Sequence, residues 1–151
     1  MQHSPQHKFI VREAKWEEAG ERLRAIRECV FIREQGVPEE LEWDGLDGEC
    51  IHLLAETGPG DAIGTVRLLA DGHIGRMAVL KEWRGRGVGS ALLLRSIELA
   101  RDMGLCRVVL NAQTTALGFY RKAGFKASGG EFMDAGIPHH RMELALRQSM
   151  E

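Results

Sequence analysis

The stretch RGRGVGSALLL, Arg84 to Leu94, sets glycines at alternate positions, Gly85, Gly87 and Gly89, among two arginines and then runs into leucines. It reads either as a flexible turn before a helix or as a cradle for an anion. The first turn of a helix leaves backbone N–H groups unpaired and carries the positive end of the macrodipole, so it attracts phosphate without a large net charge. In a cradle, the amides of Gly85 to Ser90, Val88 included, approach the ligand closely. A side chain at Gly87 or Gly89 is expected to intrude between amide and phosphate. Arg84 and Arg86 add point charges or bidentate donors.

Two common phosphate folds fail the test of their own residues. A P-loop needs Gly-Lys-Ser/Thr, whereas Gly89 is followed by Ser90 and Ala91. A dinucleotide fold needs G-x-G-x-x-G after its first strand, but the sixth residue from Gly85 is Ser90 and from Gly87 is Leu92. The next β-rich run ends in Asn111-Ala112-Gln113 rather than in an acidic ribose ligand. A nucleotide-dependent oxidoreductase or kinase is therefore disfavoured.

Outward from the glycines, the chain alternates periodicities. KFIVREA reads as a short strand, and Ala19, Leu23, Ile26 and Val30 recur at helical spacing from Trp16 to about Glu34, with Gly36 and Pro38 to stop the helix. The acidic PEELEWDGLDGE predicts a loop or at most a short helix. CIHLLAET, AIGTVRLLA and HIGRMAVL predict an antiparallel meander, with a hairpin-type Asp71-Gly72 between the last two. A strongly apolar helix is expected from Val88 to Met103, then a strand in LCRVVLN, a helix in TTALGFYRKAG and a last strand in HRMELAL. The order β-α-βββ-α-β-α-β implies a mixed α/β (α+β) domain with helices on both faces of one sheet.

Length and composition set the bounds. The 151 residues are the size of one domain, expected over residues 8–151 behind a frayed tail at 1–7. A net charge of -2 gives no global attraction to nucleic acid or anionic membrane. With no signal-like or membrane-length apolar window, the chain reads as cytoplasmic. Cys29, Cys50 and Cys106 are widely spaced among apolar neighbours and are expected as reduced, buried thiols. No histidine or carboxylate grouping has metal-ligand spacing, so no metal is expected.

Taken together, Arg84-x-x-Gly87-x-Gly89, the preceding IGRMAVL and the following VVLNAQTTALGFYRKAGF resemble the Gcn5-related N-acetyltransferase (GNAT) superfamily. The resemblance implies a mostly antiparallel sheet with splayed central strands around the acetyl-pantetheine arm of acetyl-coenzyme A (acetyl-CoA), whose pyrophosphate sits on the glycine turn. VFIREQGVP from Val30 to Pro38, His52, Ala112-Gln113 and AGIPHHRM extend the likeness to the ElaA-like branch of bacterial acetyltransferases. The implied acceptor is a small-molecule amine or a peptide. Family members often pair through sheet edges or C-terminal strands, so a homodimer is an expected assembly.

Acetyl transfer to an amine needs a neutral amine, a stabilised oxyanion and a proton for the departing thiolate. Tyr120 is the only tyrosine in the chain, and its phenol stays protonated at neutral pH. The resemblance makes it the general acid, with Phe119 beside it in the Phe-Tyr-x-x-x-Gly-Phe element. By the same resemblance, the backbone of Met77, Ala78 and Val79 faces the thioester from a bulged strand, and Asn111 bonds the pantetheine or adjoining backbone. Glu34, His52, His139 and His140 are open candidates for removing the amine's proton, directly or through water. His139 is favoured over His140, whose side chain should point to the opposite face of a strand. Gln113 joins Glu34, His52 and His139 as an acceptor-site expectation. The crowded acids Glu39 to Glu49 read as a solvated surface or, more sharply, as a negative rim that draws in a cationic amine. A non-catalytic acyl-coenzyme A binding or sensing module is the alternative; it would keep the glycine turn and have no use for a placed phenol.

Overall fold

A computed structural model describes residues 8–146. The expected tail at 1–7 and the end of the expected domain at 147–151 lie outside the described residues. Strand β1 (Ile10–Ala14) leads into helix α1 (Trp16–Arg27), which continues as a π-helical stretch over Glu28–Glu34 and is followed by the short helix α2 (Glu39–Glu42). Strands β2 (Ile51–Glu56), β3 (Ala62–Leu68) and β4 (Ile74–Val79) form the meander, and helix α3 covers Val88–Asp102. Strand β5 (Arg107–Gln113), helix α4 (Leu117–Lys122) and the hairpin of β6 (Lys126–Asp134) and β7 (Ile137–Ala145) complete the chain.

The apolar pattern decides which faces close. Leu53, Ile63, Val66 and Leu68 pack on one side of β2 and β3 against Val88, Leu92, Leu93 and Ile97 of α3. Each such burial contributes about 1.5–3 kcal/mol relative to exposure. Leu54 and Ala78 point the other way and meet Ala19, Leu23, Ile26 and Val30. The near-continuous burial of β2 follows from helices on both of its faces. Ser96, fully buried in α3, is accommodated because its hydroxyl donates to the Leu92 carbonyl at 2.9 Å.

The sheet departs from the single layer expected of the pattern. Hydrogen bonding gives two sheets, β1-β2-β3-β4 and β5-β7-β6. They meet through one parallel bridge, His73 with Val109, where the Val109 amide donates to the Gly72 carbonyl at 3.0 Å. A Cβ on Gly72 would lie 2.7 Å from the Arg107 carbonyl oxygen, and its φ of +99° also demands glycine. This contact forms the apex of a V, and beyond it β4 and β5 diverge.

Two further expectations are corrected. KASGGEFMD forms β6, which the apolar pattern missed because every residue of the strand is exposed. Its register against β7 shifts between Ser128 and Phe132, across Gly129 and Gly130. The cysteines are free, but Cys29 and Cys106 are exposed and Cys50 is half-buried. Cys50 and Cys106 sit in the bends just before β2 and β5, and Cys29 stands on the exposed side of the π-helical stretch, so apolar neighbours in sequence do not imply burial. Among the described residues no helix is long and apolar enough to cross a membrane.

Candidate active site

The divergence of β4 and β5 opens a cleft of about 410 Å³. Met77 lines it from β4, Asn111 and Gln113 from β5, Tyr120 from α4 and His139 from β7, while Phe31 and Gln35 enter from the segment after α1. These five expected site residues, Met77, Asn111, Gln113, Tyr120 and His139, share one concavity, whereas Glu34, His52, Phe119 and the glycine turn do not line it.

On the β4 wall the ladder is broken. Thr65 pairs with Ala78 and Arg67 with Gly75, so Arg76 and Met77 together oppose Val66 alone. This is a β-bulge, which takes backbone amides out of the ladder and re-aims them. Arg76 holds φ of 51°, in the left-handed region. Ala78 is buried against the α1 side, and Met77 and Val79 pack at the edge of the α3 core.

The glycine turn leads from β4 to α3. Gly85 and Gly87 have φ of 77° and 86°, conformations that a side chain would strain. Gly87 is the N-cap of α3 and no side chain caps the helix. The amides of the first turn, from Val88 to Ser90, are thus left to an external acceptor. Gly89 plays a different part from the one expected: a Cβ there would lie 3.5 Å from the Phe119 ring and 3.9 Å from Val79 Cγ2, toward packed side chains rather than across the amides. Arg84 is likewise redirected. Its Nη1 and Nη2 donate to the two Glu34 carboxylate oxygens at 2.6 and 2.7 Å, and its Nε donates to the Val79 carbonyl at 2.9 Å. Its guanidinium braces the turn against the π-helical stretch, and Glu34 is held below the usual carboxylate range chiefly by that hydrogen bond. Arg86 lies over the Trp83 ring at 5.1 Å.

Tyr120 sits edge-on to Phe119 at 5.0 Å and to Phe125 at 6.0 Å between ring centroids. Burial pushes its phenol up to about 12, so its proton is held at any working pH. Near it, His139 pairs in register with Gln113 of β5 and with Phe132 of β6. Its Nδ1–H donates to the Ile137 carbonyl at 2.7 Å, which in the neutral ring leaves the lone pair on Nε2. The Phe132 ring stacks on it at 5.9 Å. Asn111 is exposed at the cleft, and Gln113 donates from Nε2 to Gln35 Oε1 at 3.0 Å across it.

Two proton-handling candidates fall away from the cleft. His52 is 1% exposed, stacks on Trp16 at 5.0 Å and bonds the Asp47 carbonyl through Nε2 at 2.9 Å. Desolvation lowers its pKa, as expected of a histidine kept neutral in a core. His140 lies beside Glu131 at 3.9 Å and does not line the cleft.

The acidic segment is solvated in part, and its other acids are paired with arginines rather than forming a free negative rim. Buried Arg27 donates from Nε to Glu42 at 2.8 Å and from Nη1 to Asp47 at 2.7 Å. Arg67 reaches Asp44 at 2.8 Å and Asp47 at 3.1 Å. Arg76 lies 3.3 Å from Glu42 and 3.1 Å from Asp44. Only Glu39, Glu40 and Glu49 of the cluster stand in solvent without such partners among these arginines. The spacing of arginines 27, 67 and 76 gives no local signal, because the partners are brought together by the sheet and not by the chain.

This network predicts a pH signature. The hydrogen bond from Arg67 is the main influence holding Asp44 down to about 2, against an ordinary 3.8. A depressed carboxyl contributes stability above its unfolded pKa and loses it as pH falls toward its folded one; Asp44 is exposed, so solvent screening reduces that contribution to about 1 kcal/mol. Glu42, raised by burial, works in the opposite direction. The prediction is therefore a difference: urea midpoints of wild type and Asp44→Asn should be well separated at pH 7 and converge between pH 4 and 2. A constant separation would refute it.

Comparisons with known proteins bear on the family and the fold. The sequence pattern of the acetyltransferase (GNAT) domain family matches residues 17–146. The uncharacterized N-acetyltransferase YjcF of Bacillus subtilis is 41% identical over 121 residues, covering 78% of this chain and 86% of that relative. The crystal structure of Escherichia coli ElaA superposes with a TM-score of 0.80 at 26% identity, covering 90% of this chain and 99% of that one. An acyl-CoA N-acyltransferase from Pseudomonas aeruginosa gives 0.76 at 30% identity, over 90% and 97%.

Proposed function

The chain belongs to the GNAT acetyltransferase family, and we propose that it transfers an acetyl group from acetyl-CoA to a primary amine. One observation carries the reading: the bulge of β4 and the half-buried Tyr120 line one cleft between β4 and β5, and the uncapped start of α3 lies against Val79 at the end of β4 and Phe119 beside Tyr120. An acyl-coenzyme A arm laid along such a V would be read by strand backbone on its length and by helix amides at its pyrophosphate.

The donor fits the residues present. The amides of Val88, Gly89 and Ser90 form an anion site, with Gly85 and Gly87 providing the required backbone and Arg86 the nearby charge. When bound, acetyl-CoA supplies an activated thioester carbonyl. The β4 backbone from Met77, taken out of the ladder at the bulge, to Val79 at the strand's end donates to the carbonyl oxygen as it becomes an oxyanion, where fixed donors act most strongly. The Nε2 of His139 takes the proton from the attacking amine, directly or through one water. Tyr120 donates its phenolic proton to the departing thiolate, and burial keeps that proton in place until negative charge develops on sulfur. Asn111 and Gln113 border the acceptor's approach.

A thermal melt titrated with acetyl-CoA, NAD and ATP tests the donor. A ligand at about 100 times its dissociation constant should add about 2.7 kcal/mol of stability. Stabilisation by NAD or ATP in preference to acetyl-CoA would sink the reading. Thiol release across polyamines, amino sugars, aminoglycosides and peptide N-termini then tests catalysis, and binding without release on any amine would leave a sensing module.

A further inference from the structure

Arg76 occupies a backbone position that suits glycine. Its φ of 51° lies in the left-handed region, which costs a long side chain on the order of 1 kcal/mol. Glycine is the usual residue at such a place in a bulge, and Gly75 stands one residue too early to take it. The side chain accounts for the exception. Its Nη2 donates to the Leu41 carbonyl at 3.4 Å, the Glu42 carbonyl at 3.1 Å and Asp44 Oδ2 at 3.1 Å. All three acceptors belong to the acidic segment, whose Glu42, Asp44 and Asp47 are tied to buried Arg27 and Arg67. The bulge is thus fastened to a rigid neighbour across 30 or more residues of chain. Met77, the next residue, lines the cleft and starts the segment assigned to the oxyanion.

We propose that Arg76 is a positioning residue for acyl transfer: its guanidinium, anchored at Leu41, Glu42 and Asp44, holds the bulge in the conformation that presents the Met77 to Val79 amides. The inference rests on the acetyltransferase reading above. Arg76 lines the cleft, but its guanidinium is turned to the acidic segment and takes no part in the reaction of this scheme. It acts through the backbone of its neighbour, and it couples the acidic segment to the geometry of the thioester site.

The test uses the full chain as Arg76→Gly and Arg76→Lys. Glycine adopts the same φ without strain, so Arg76→Gly should fold and melt within a few degrees of wild type. Released from its anchor, the bulge should exchange amide hydrogen faster in fragments covering 75–79 and 39–49. A misplacement of this kind lowers kcat by about tenfold or more, with the KM for acetyl-CoA within about twofold. Arg76→Lys, with the charge kept and the forked reach lost, should fall between. Wild-type exchange in both segments, or unchanged kcat in the glycine variant, overturns the proposal. If Arg76→Gly does not fold, the lysine variant decides: a kcat loss against an intact KM upholds the role and normal kcat removes it. A wild-type protein that neither binds acetyl-CoA nor releases thiol would remove the acyltransferase reading and the positioning role with it, whatever the exchange data show.

Discussion

Replacing Tyr120 with Phe is expected to lower kcat by about 10²- to 10⁴-fold, the span of a placed acid catalyst, while acetyl-CoA binding changes little. The ring is retained, so its edge-on contacts with Phe119 and Phe125 persist and the fold should not notice. Only the hydroxyl is lost, and burial holds its proton at about 12. In the proposed reaction that proton matters only as sulfur acquires charge, which places the effect in the transition state and not in the bound ground state. The signature is a fall in kcat with unchanged KM for the donor. It should be largest for acceptors whose rate is set by thiolate departure. Activated acyl donors with a low-pKa leaving thiol should recover much of the loss, because their leaving group needs less help from an acid. Turnover equal to wild type, measured by thiol release and by acetylated product, would take Tyr120 out of the acid role and reduce it to packing.

What could be read from residues alone follows a physical divide. The periodic apolar positions of α1 and α3 and the runs in β2, β3 and β4 were legible, because burial is written locally at spacings of 3.6 and 2. The glycine turn was legible in part: alternating glycines mark an amide-rich bend, yet only the backbone shows that Gly85 and Gly87 carry the left-handed geometry while Gly89 abuts Phe119. Strand β6 escaped because an exposed edge strand has no apolar alternation to betray it. Arg84 and Glu34 each looked like site residues, but their mutual ion pair spans 50 positions and no spacing rule predicts it. His52 has the same local texture as a catalytic histidine, and its burial under Trp16 decides the matter. Acidic residues in a turn-rich segment ordinarily mean solvent. The arginines that neutralise them come from α1, β3 and the bulge of β4, so pairing of this kind belongs to the tertiary structure alone.

That neutralisation sets the other large effect. Arg27 is 1% exposed, with its guanidinium over the Trp43 ring at 5.0 Å and near Trp16 at 5.9 Å, bonded to both Glu42 and Asp47. Arg27→Met keeps volume and removes the charge, leaving two carboxylates without their shared cation. Breaking one side of a buried pair costs about 3–5 kcal/mol where the abandoned charge is stranded in low dielectric; Asp47 keeps Arg67 at 3.1 Å and Glu42 keeps Arg76 at 3.3 Å, so the expected loss is at the lower end of that span. In a domain of this size a loss near 3 kcal/mol corresponds to a fall in Tm of about 6–12 °C. An exposed pair provides the control: Arg95 and Glu98 on α3, 3.1 Å apart with side chains 40% and 59% exposed, should give Arg95→Met a loss of at most about 1 kcal/mol. The pH dependence separates stranded charge from lost packing. In Arg27→Met the folded-state pKa values of Glu42 and Asp47 rise, so protonation as pH falls toward 4 relieves the penalty and narrows the gap to wild type. Lost packing would persist at every pH. A gap that stays constant from pH 7 to 4 would show that the two tryptophans, and not the carboxylates, are what Arg27 is there to satisfy.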